Sequence, residues 1–345
     1  MIPLHVALLG YGYAGKTFHA PLIVATPGLH LNTVHSSDAA KVQADHPHAR
    51  VHTDATAVFA DPTIQLVVIA TPNDTHHALA KAALQAGKHV VVDKPFTLSV
   101  AEARELAQLA EARGLLLTVF HNRRWDADFL TLQALIASGR LGDVTQFESH
   151  FDRFRPEVRQ RWRESAMAGA GLWYDLGPHL IDQALQLFGT PQAVYADLAM
   201  RRAGGQSVDD AHVLLRYPDK RVILSASMLV AGGSPRFVVH GTHASYIKYG
   251  LDSQEDMLKA GHAPGCSQWG HDARDGELLI GTGGEPQRET VPTRHGDYRH
   301  FYAGVHANIT QGATDPVPVD QAIAVMEVLE LAIKSNDARR ELPLA

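Results

Sequence analysis

Cysteine is almost missing from this chain of 345 residues: Cys266 stands alone. One thiol excludes an internal disulfide and a thiolate cage around a metal, and it fits a reducing cytoplasm. Positive charge is not in excess either. Lys and Arg total 31 against 37 Asp and Glu, a formal charge of −6, so no basic field is available for nucleic acid or an anionic membrane. No apolar run reaches the roughly 18 residues of a membrane span. The opening Met1-Ile2-Pro3-Leu4 has no basic stretch before its apolar residues, so neither export nor membrane insertion is expected. Internal repeats, charge blocks and low-complexity linkers are lacking as well.

What is present describes a folded globular protein, with 45% hydrophobic and 20% charged residues. At about 150 residues per domain the length suggests two domains. The 21 His invite a metal reading, but they are scattered as surface and pocket polar groups usually are, and no metal is expected.

Residues 4–9 are apolar, a glycine-rich stretch from Gly10 to Gly15 interrupts them, and helix-compatible sequence follows from Lys16. This opening reads as strand, tight turn, helix. Further strands are expected at 29–35, 65–71, 89–93 and 115–120. The run Gln65-Leu66-Val67-Val68-Ile69-Ala70-Thr71 is continuous rather than alternating, as in a parallel strand buried on both faces. Helices are expected at 75–86, closed by Gly87, and from Ser99, whose spacing to Glu102 forms a capping box, to a stop at Gly114. Strands alternating with helices give a doubly wound α/β domain over about the first 120 residues.

After about Val144 the rhythm changes. Segments 144–151, 193–199, 211–217, 221–229, 236–240 and 244–249 read as strands of a mostly antiparallel sheet. A helix around 172–188 interrupts them, with Trp173, Leu176, Leu180, Ala184 and Leu187 on one apolar stripe. Asp175, His179 and Asp182 fall off that stripe. Segment 320–334 reads as an amphipathic helix destined for the first domain, and 252–290 as irregular. The expected domains are 1–122 and 123–345.

Four motifs carry chemistry. Gly10-Tyr11-Gly12-Tyr13-Ala14-Gly15 is a G-x-G-x-x-G directly after a strand and at the start of a helix. Glycine suits a tight turn that brings bare backbone and a helix N-terminus to a pyrophosphate. Some 20 residues on, where an NAD enzyme offers Asp or Glu to the ribose diol, this chain has His35-Ser36-Ser37-Asp38, with Lys41 one turn later. Ser36, Ser37 and Lys41 suit a 2′-phosphate, although the two serines also suit a simple loop cap. NADP is preferred over NAD on this reading.

Asp93-Lys94-Pro95 stands at the carboxyl end of a strand, where doubly wound sheets form their ligand crevice. Taken alone, such a lysine is usually a solvated loop residue, and pairing with the next motif inverts that reading. Asp175 and His179 are one helical turn apart, and imidazole with a carboxylate neighbour suits proton transfer near neutral pH. A helix-surface pair is the other reading. Pro178 is expected in the first turn of its helix, which would set His179 close to the N-terminus and a loop-lined site.

Over almost its whole length the sequence resembles the Gfo/Idh/MocA family of NAD(P)-dependent oxidoreductases, most closely the bacterial inositol dehydrogenase-like branch. The residues that carry the likeness are 10–21, 71–76, 87–96, 120–126 and 173–182, including the glycine motif, Thr71-Pro72-Asn73-Asp74-Thr75-His76, Asp93-Lys94-Pro95, Asn122-Arg123-Arg124-Trp125 and Asp175 to His179. The family's usual Glu-Lys-Pro is Asp-Lys-Pro here. The resemblance implies a Rossmann domain followed by an α+β domain with a large open sheet that buries its free face in a homodimer or tetramer. It also implies hydride exchange between NADP and a secondary alcohol of a cyclitol or sugar, of the scyllo-inositol kind. Lys94, Asp175 and His179 would be catalytic. Gly10, Gly12, Tyr13, Ala14, Ser36, Ser37, Lys41, Thr71, Pro72, Asn73, His76, Asp93, Lys94, Asn122 and Arg123 would hold the dinucleotide. Arg124, Trp125, Trp162 and Tyr298, with Lys94, Asp175 and His179, would meet the polyol, although those first four also read as structural groups.

Two other classes share this pattern: a catalytically silent dinucleotide-sensing regulator, and an enzyme that retains its dinucleotide and acts on sugars by another reaction. The joint presence of Lys94, Asp175 and His179 argues against the silent regulator.

Overall fold

A computed structural model of the chain describes residues 3–344. Met1 and Ile2, on which the reading of the N-terminus partly rests, lie outside the described residues. Strands β1 (Leu4–Leu9), β2 (Leu29–His35), β3 (Arg50–His52), β4 (Leu66–Ile69), β5 (His89–Val92) and β6 (Leu117–Val119) form one sheet in the order β3-β2-β1-β4-β5-β6. Every pair in it is parallel. Helices α1 (Ala20–Ala25), α2 (Ala39–Asp45), α3 (Ala55–Ala60), α4 (His76–Gln85) and α5 (Val100–Arg113) lie between the strands in sequence. This is the doubly wound order, and its switch point lies between β1 and β4. All four residues of β4 are buried, as the continuous apolar run requires.

The helix after the glycine turn does not begin as a plain α-helix. Gly15–His19 form one wide turn, and α1 follows from Ala20. The α5 boundaries follow local chemistry closely: the Ser99 hydroxyl accepts from the Glu102 amide, Glu102 accepts from the Ser99 amide, and Gly114 adopts a left-handed φ of +62°.

The second sheet has nine strands. The elements are α6 (Ala127–Ala137), β7 (Val144–His150), α7 (Leu172–Phe188), β8 (Ala193–Ala199), β9 (Asp210–Arg216), β10 (Arg221–Ser227), β11 (Phe237–Gly241), β12 (Ala244–Lys248), α8 (Gln254–Lys259), β13 (Gly276–Ile280), β14 (Gln287–Val291), α9 (Arg299–Gln311), α10 (Val319–Ala338) and β15 (Leu342–Pro343). Strand order is β14-β13-β12-β11-β7-β10-β9-β8-β15, antiparallel except for the β7 and β10 pair. Burial alternates along β10 and β12, the pattern of a sheet with one face in the core.

The chain divides into two compact units. The first holds Met1–Trp125, Gln254–Trp269 and Asp297–Ile323; the second holds Asp126–Ser253, Gly270–Gly296 and Ala324–Ala345. Returning segments join the first unit because they complete its core. Leu258, Trp269, Tyr298, Phe301, Tyr302 and Val305 cluster with Leu4, Val6 and Leu8 of β1. In the second unit α7 and α10 are joined by the Trp173 indole N–H, which donates to Leu329 O.

Two local expectations are corrected. Segment 252–290 is not irregular, since it holds α8, β13 and β14; short strands flanked by Gly, Asp and Glu hide their alternation. Pro178 is also not in a first turn, because α7 begins at Leu172 and Pro178 lies inside it. Proline there forgoes the hydrogen bond to Tyr174 O, and burial of both helix faces outweighs that loss. His179 and Asp182 are buried along with the apolar stripe, so His179 faces protein rather than an open helix surface.

Candidate functional site

The glycine turn is shaped by two close approaches and one opening. After β1, Gly10 takes a φ of +94°, and a Cβ on it would stand 2.7 Å from Ala70 O. A Cβ on Gly15 would stand 2.0 Å from Gly10 O. These two glycines are demanded by the protein's own backbone. Gly12 differs: a Cβ there would meet nothing within 4 Å. Space beside bare backbone, ahead of a helical segment that begins at Gly15, is what a dinucleotide pyrophosphate requires. The turn therefore fits the cofactor its motif implies. Ala14 is helical in backbone and precedes that segment without a side-chain cap.

At the end of β2, Asp38 caps α2 by accepting from the Lys41 amide, and the Ser36 hydroxyl accepts from the Asp38 amide at 3.1 Å. Ser37 is exposed. The Lys41 ammonium donates to Tyr11 O at 3.1 Å. Among Ser36, Ser37, Asp38 and Lys41, the only carboxylate is thus engaged in a helix cap, while the ammonium lies against the glycine turn.

The ends of β4 and β5 are laced together. His76, fully buried, has Nδ1 2.9 Å from Pro95 O and Nε2 3.1 Å from Thr71 O. Burial holds its ring below the ordinary pKa against the pull of Asp93, and a neutral ring donates to one of these carbonyls at a time. Thr71 Oγ1 lies 2.5 Å from Thr75 Oγ1. Pro72 is exposed and Asn73 buried.

Asp93 accepts from the Lys94 amide at 2.8 Å. Its Oδ1 is 3.8 Å from Nε2 of His19, whose Nδ1 lies 2.6 Å from the Tyr302 hydroxyl. Burial pushes the Asp93 carboxyl up, but His19, Lys94 and His76 outweigh it and bring it to about 2. Asp93 is thus a fixed negative charge directly before Lys94.

Asn122, Arg123 and Arg124 are buried in the first unit. Arg124 donates to Gln321 Oε1 at 2.7 Å. Arg123 meets Glu255 of α8 at 2.7 Å, and the Tyr13 hydroxyl donates to the same carboxylate at 2.9 Å. Trp125 packs edge-on against Phe301, and Tyr298 is wholly buried in the core. Glu255, His19 and Tyr302 were not among the expected residues. For Glu255 the readable signal is its i,i+4 spacing to Lys259, with which it pairs at 2.9 Å.

In the second unit, α7 carries Asp175 and His179 one turn apart. Asp175 is partly exposed and stands 3.9 Å from Arg153 Nη1 and 3.8 Å from Arg163 Nε. The Arg163 guanidinium lies over the Trp162 ring at 4.6 Å. The structure thus brings Gly10 to Gly15, Thr71 to His76, Asp93 and Lys94 together in the first unit, and Trp162, Asp175 and His179 belong to the second. Among the described residues no three His, Cys, Asp or Glu gather to hold a metal ion, and no helix is long and apolar enough to cross a membrane.

Residues 4–121 match the domain described as "Oxidoreductase family, NAD-binding Rossmann fold", and residues 133–344 match "Oxidoreductase family, C-terminal alpha/beta domain". The oxidoreductase YdgJ of Escherichia coli (strain K12) is 55% identical over 342 residues, covering 99% of both chains. The scyllo-inositol 2-dehydrogenase (NADP(+)) IolW of Bacillus subtilis (strain 168) is 39% identical over 343 residues, covering 99% of this chain and 96% of IolW. Among solved structures, the oxidoreductase YPO2259 of Yersinia pestis superposes with a TM-score of 0.96 at 54% identity, over 100% of this chain and 98% of that one. With both of its halves matched and full-length relatives on either side, this chain belongs to the Gfo/Idh/MocA family of oxidoreductases.

Proposed function

We propose that this chain is an NADP-preferring dehydrogenase that exchanges hydride reversibly with a secondary alcohol of a cyclitol or sugar, scyllo-inositol being the reference polyol. The observation that carries this reading is the cluster at the carboxyl ends of β1, β4 and β5. An open glycine turn at Gly12 and an amine at Lys94 are tied together there through Ala70, Thr71 and His76. When bound, the dinucleotide supplies the group that accepts or gives hydride. Thr71, Pro72, Asn73, Asn122 and Arg123 would hold it, with the buried His76 acting through Thr71, whose carbonyl its Nε2 faces.

The protein supplies the proton chemistry. His179 takes the hydroxyl proton of the reacting alcohol and returns it when a ketone is reduced. Lys94 donates a hydrogen bond to the same oxygen and stabilises the negative charge that develops on it. Asp175 orients the polyol and tunes His179. Arg124, Trp125 and Trp162 would also meet the polyol, whereas Tyr298, wholly buried, serves the core of the first unit.

Preference for NADP is supported by the end of β2, where Asp38 is occupied as a helix cap and Ser36, Ser37 and Lys41 stand in place of a free carboxylate. The name of IolW states the same cofactor for that relative. We further propose a cytoplasmic homodimer or tetramer, in which the exposed Phe154, Tyr195, Met200 and Leu229 of the second unit would be covered.

The test is the initial rate of NADP⁺ and NAD⁺ reduction by the purified protein with scyllo-inositol, myo-inositol and glucose. Turnover of an inositol with NADP⁺ ahead of NAD⁺ is expected. Binding of a dinucleotide with no turnover of any polyol would overturn the substrate class.

A further inference from the structure

The glycine turn of the first unit is held from a distance by a residue of α8. Tyr13, between Gly12 and Ala14, has a ring that is half exposed, yet its hydroxyl is fixed on Glu255 Oε1 at 2.9 Å. The other oxygen of Glu255 accepts from Arg123 at 2.7 Å, and Lys259 pairs with Oε1 at 2.9 Å. Beneath this carboxylate, Met257 and Leu258 pack into the core of the unit, so α8 has a fixed seat. Edge-on packing of the Tyr13 ring against Phe18, at 5.9 Å between centroids, holds the tyrosine from its other side.

We propose that Glu255 is a positioning residue for the dinucleotide: it sets the conformation of the glycine turn through Tyr13. This rests on the reading of the turn as a dinucleotide site.

Two observations carry it, the position of the anchor and its protonation. The opening at Gly12 adjoins Tyr13, so the peptide that must meet a phosphate is next to the anchored residue, and a turn fixed before binding loses less entropy on binding. The cluster is charge-balanced, because Lys259 is shared between Glu255 and Asp256 while Arg123 pairs with Glu255, so Glu255 acts on the ligand site through its hold on Tyr13. Near neutral pH the carboxylate is also ionised and the phenol protonated, the states the anchor needs. Burial pushes the Glu255 carboxyl up, but Arg123, Lys259 and Tyr13 bring it to about 2, while burial and Glu255 push the Tyr13 phenol up to about 12.

The experiment measures dissociation constants of NADPH and NADH by nicotinamide fluorescence for the wild type, Tyr13→Phe, Glu255→Gln and the double variant, with melting temperature recorded for each. Tyr13→Phe keeps the ring and leaves Glu255 paired with its cations. Glu255→Gln keeps an oxygen for Tyr13 and removes the charge. The expected result is about fivefold or greater weakening in each single variant, and a double variant no more than about twofold weaker than the worse single one, because both act through one contact. Constants within twofold of wild type in both folded single variants would overturn the proposal, whatever happens to the melting temperature. A wild-type chain that binds neither dinucleotide would contradict the underlying reading, and the proposal with it.

Discussion

At the scale of single residues, the three motif glycines do three different jobs. Gly10 and Gly15 are required by backbone contacts inside the protein, whereas Gly12 borders open space. Gly12→Ala is therefore expected to leave stability within about 0.5 kcal/mol of wild type, as a surface change does, while weakening dinucleotide binding at least tenfold. Thermal unfolding and a fluorescence titration on the same sample check the two halves, and equal binding by the variant would remove the pyrophosphate from this turn. Asp93, expected to help hold the dinucleotide, also acquires an electrostatic role. Kept ionised by His19, Lys94 and His76, it places a fixed negative charge one residue before the proposed catalytic amine.

At the scale of elements, those bounded by local chemistry were legible and those held by distant partners were not. The α5 helix was readable from Ser99, Glu102 and Gly114 because its caps lie within or next to the helix. The run from Leu66 to Ile69 announced β4 by its composition. Helix α8 was missed, because Tyr13 and Glu255 are 242 residues apart and only the Glu255 to Lys259 spacing hints at a helix. Pro178 misled in the opposite direction: α7 spans 172–188 as expected, but a strong local rule put Pro178 in its first turn, and tertiary burial keeps it inside the helix.

A junction between elements also carries a pH dependence. Asp315, in the loop between α9 and α10, accepts from the Val317 amide at 2.9 Å. Burial pushes its carboxyl up to about 6 despite the Val317 N–H, Thr118 and Arg124. A folded value above the unfolded one of 3.8 means that its contribution is fully present below about pH 4 and is lost as pH rises through 6. Asp315→Asn keeps the acceptor without the charge. After allowance for partial exposure, it is expected to gain about 1–2 kcal/mol over wild type at pH 7.5 and nothing at pH 4. Denaturant unfolding at the two pH values measures this, and an equal difference at both would contradict the burial argument.

At the scale of the molecule, the sequence made two architectures plain: strands alternating with helices, then strands in succession. The parallel sheet of six and the mostly antiparallel sheet of nine match that change of rhythm. Less legible was the way the chain returns, with 254–269 and 297–323 completing the core of the first unit. Rhythm is a local property, whereas membership of a core is decided by which apolar surfaces meet. The proposed chemistry likewise draws on residues far apart in sequence, Lys94 after β5 and His179 within α7.

The most direct measurement is the steady-state rate of NADPH formation from scyllo-inositol by wild type and His179→Ala, with NADPH affinity measured on both. Removal of a general base is expected to lower kcat about 100-fold to 1,000-fold while the affinity stays within about threefold. A variant that keeps more than about a third of the wild-type rate would contradict the assignment of proton transfer to His179.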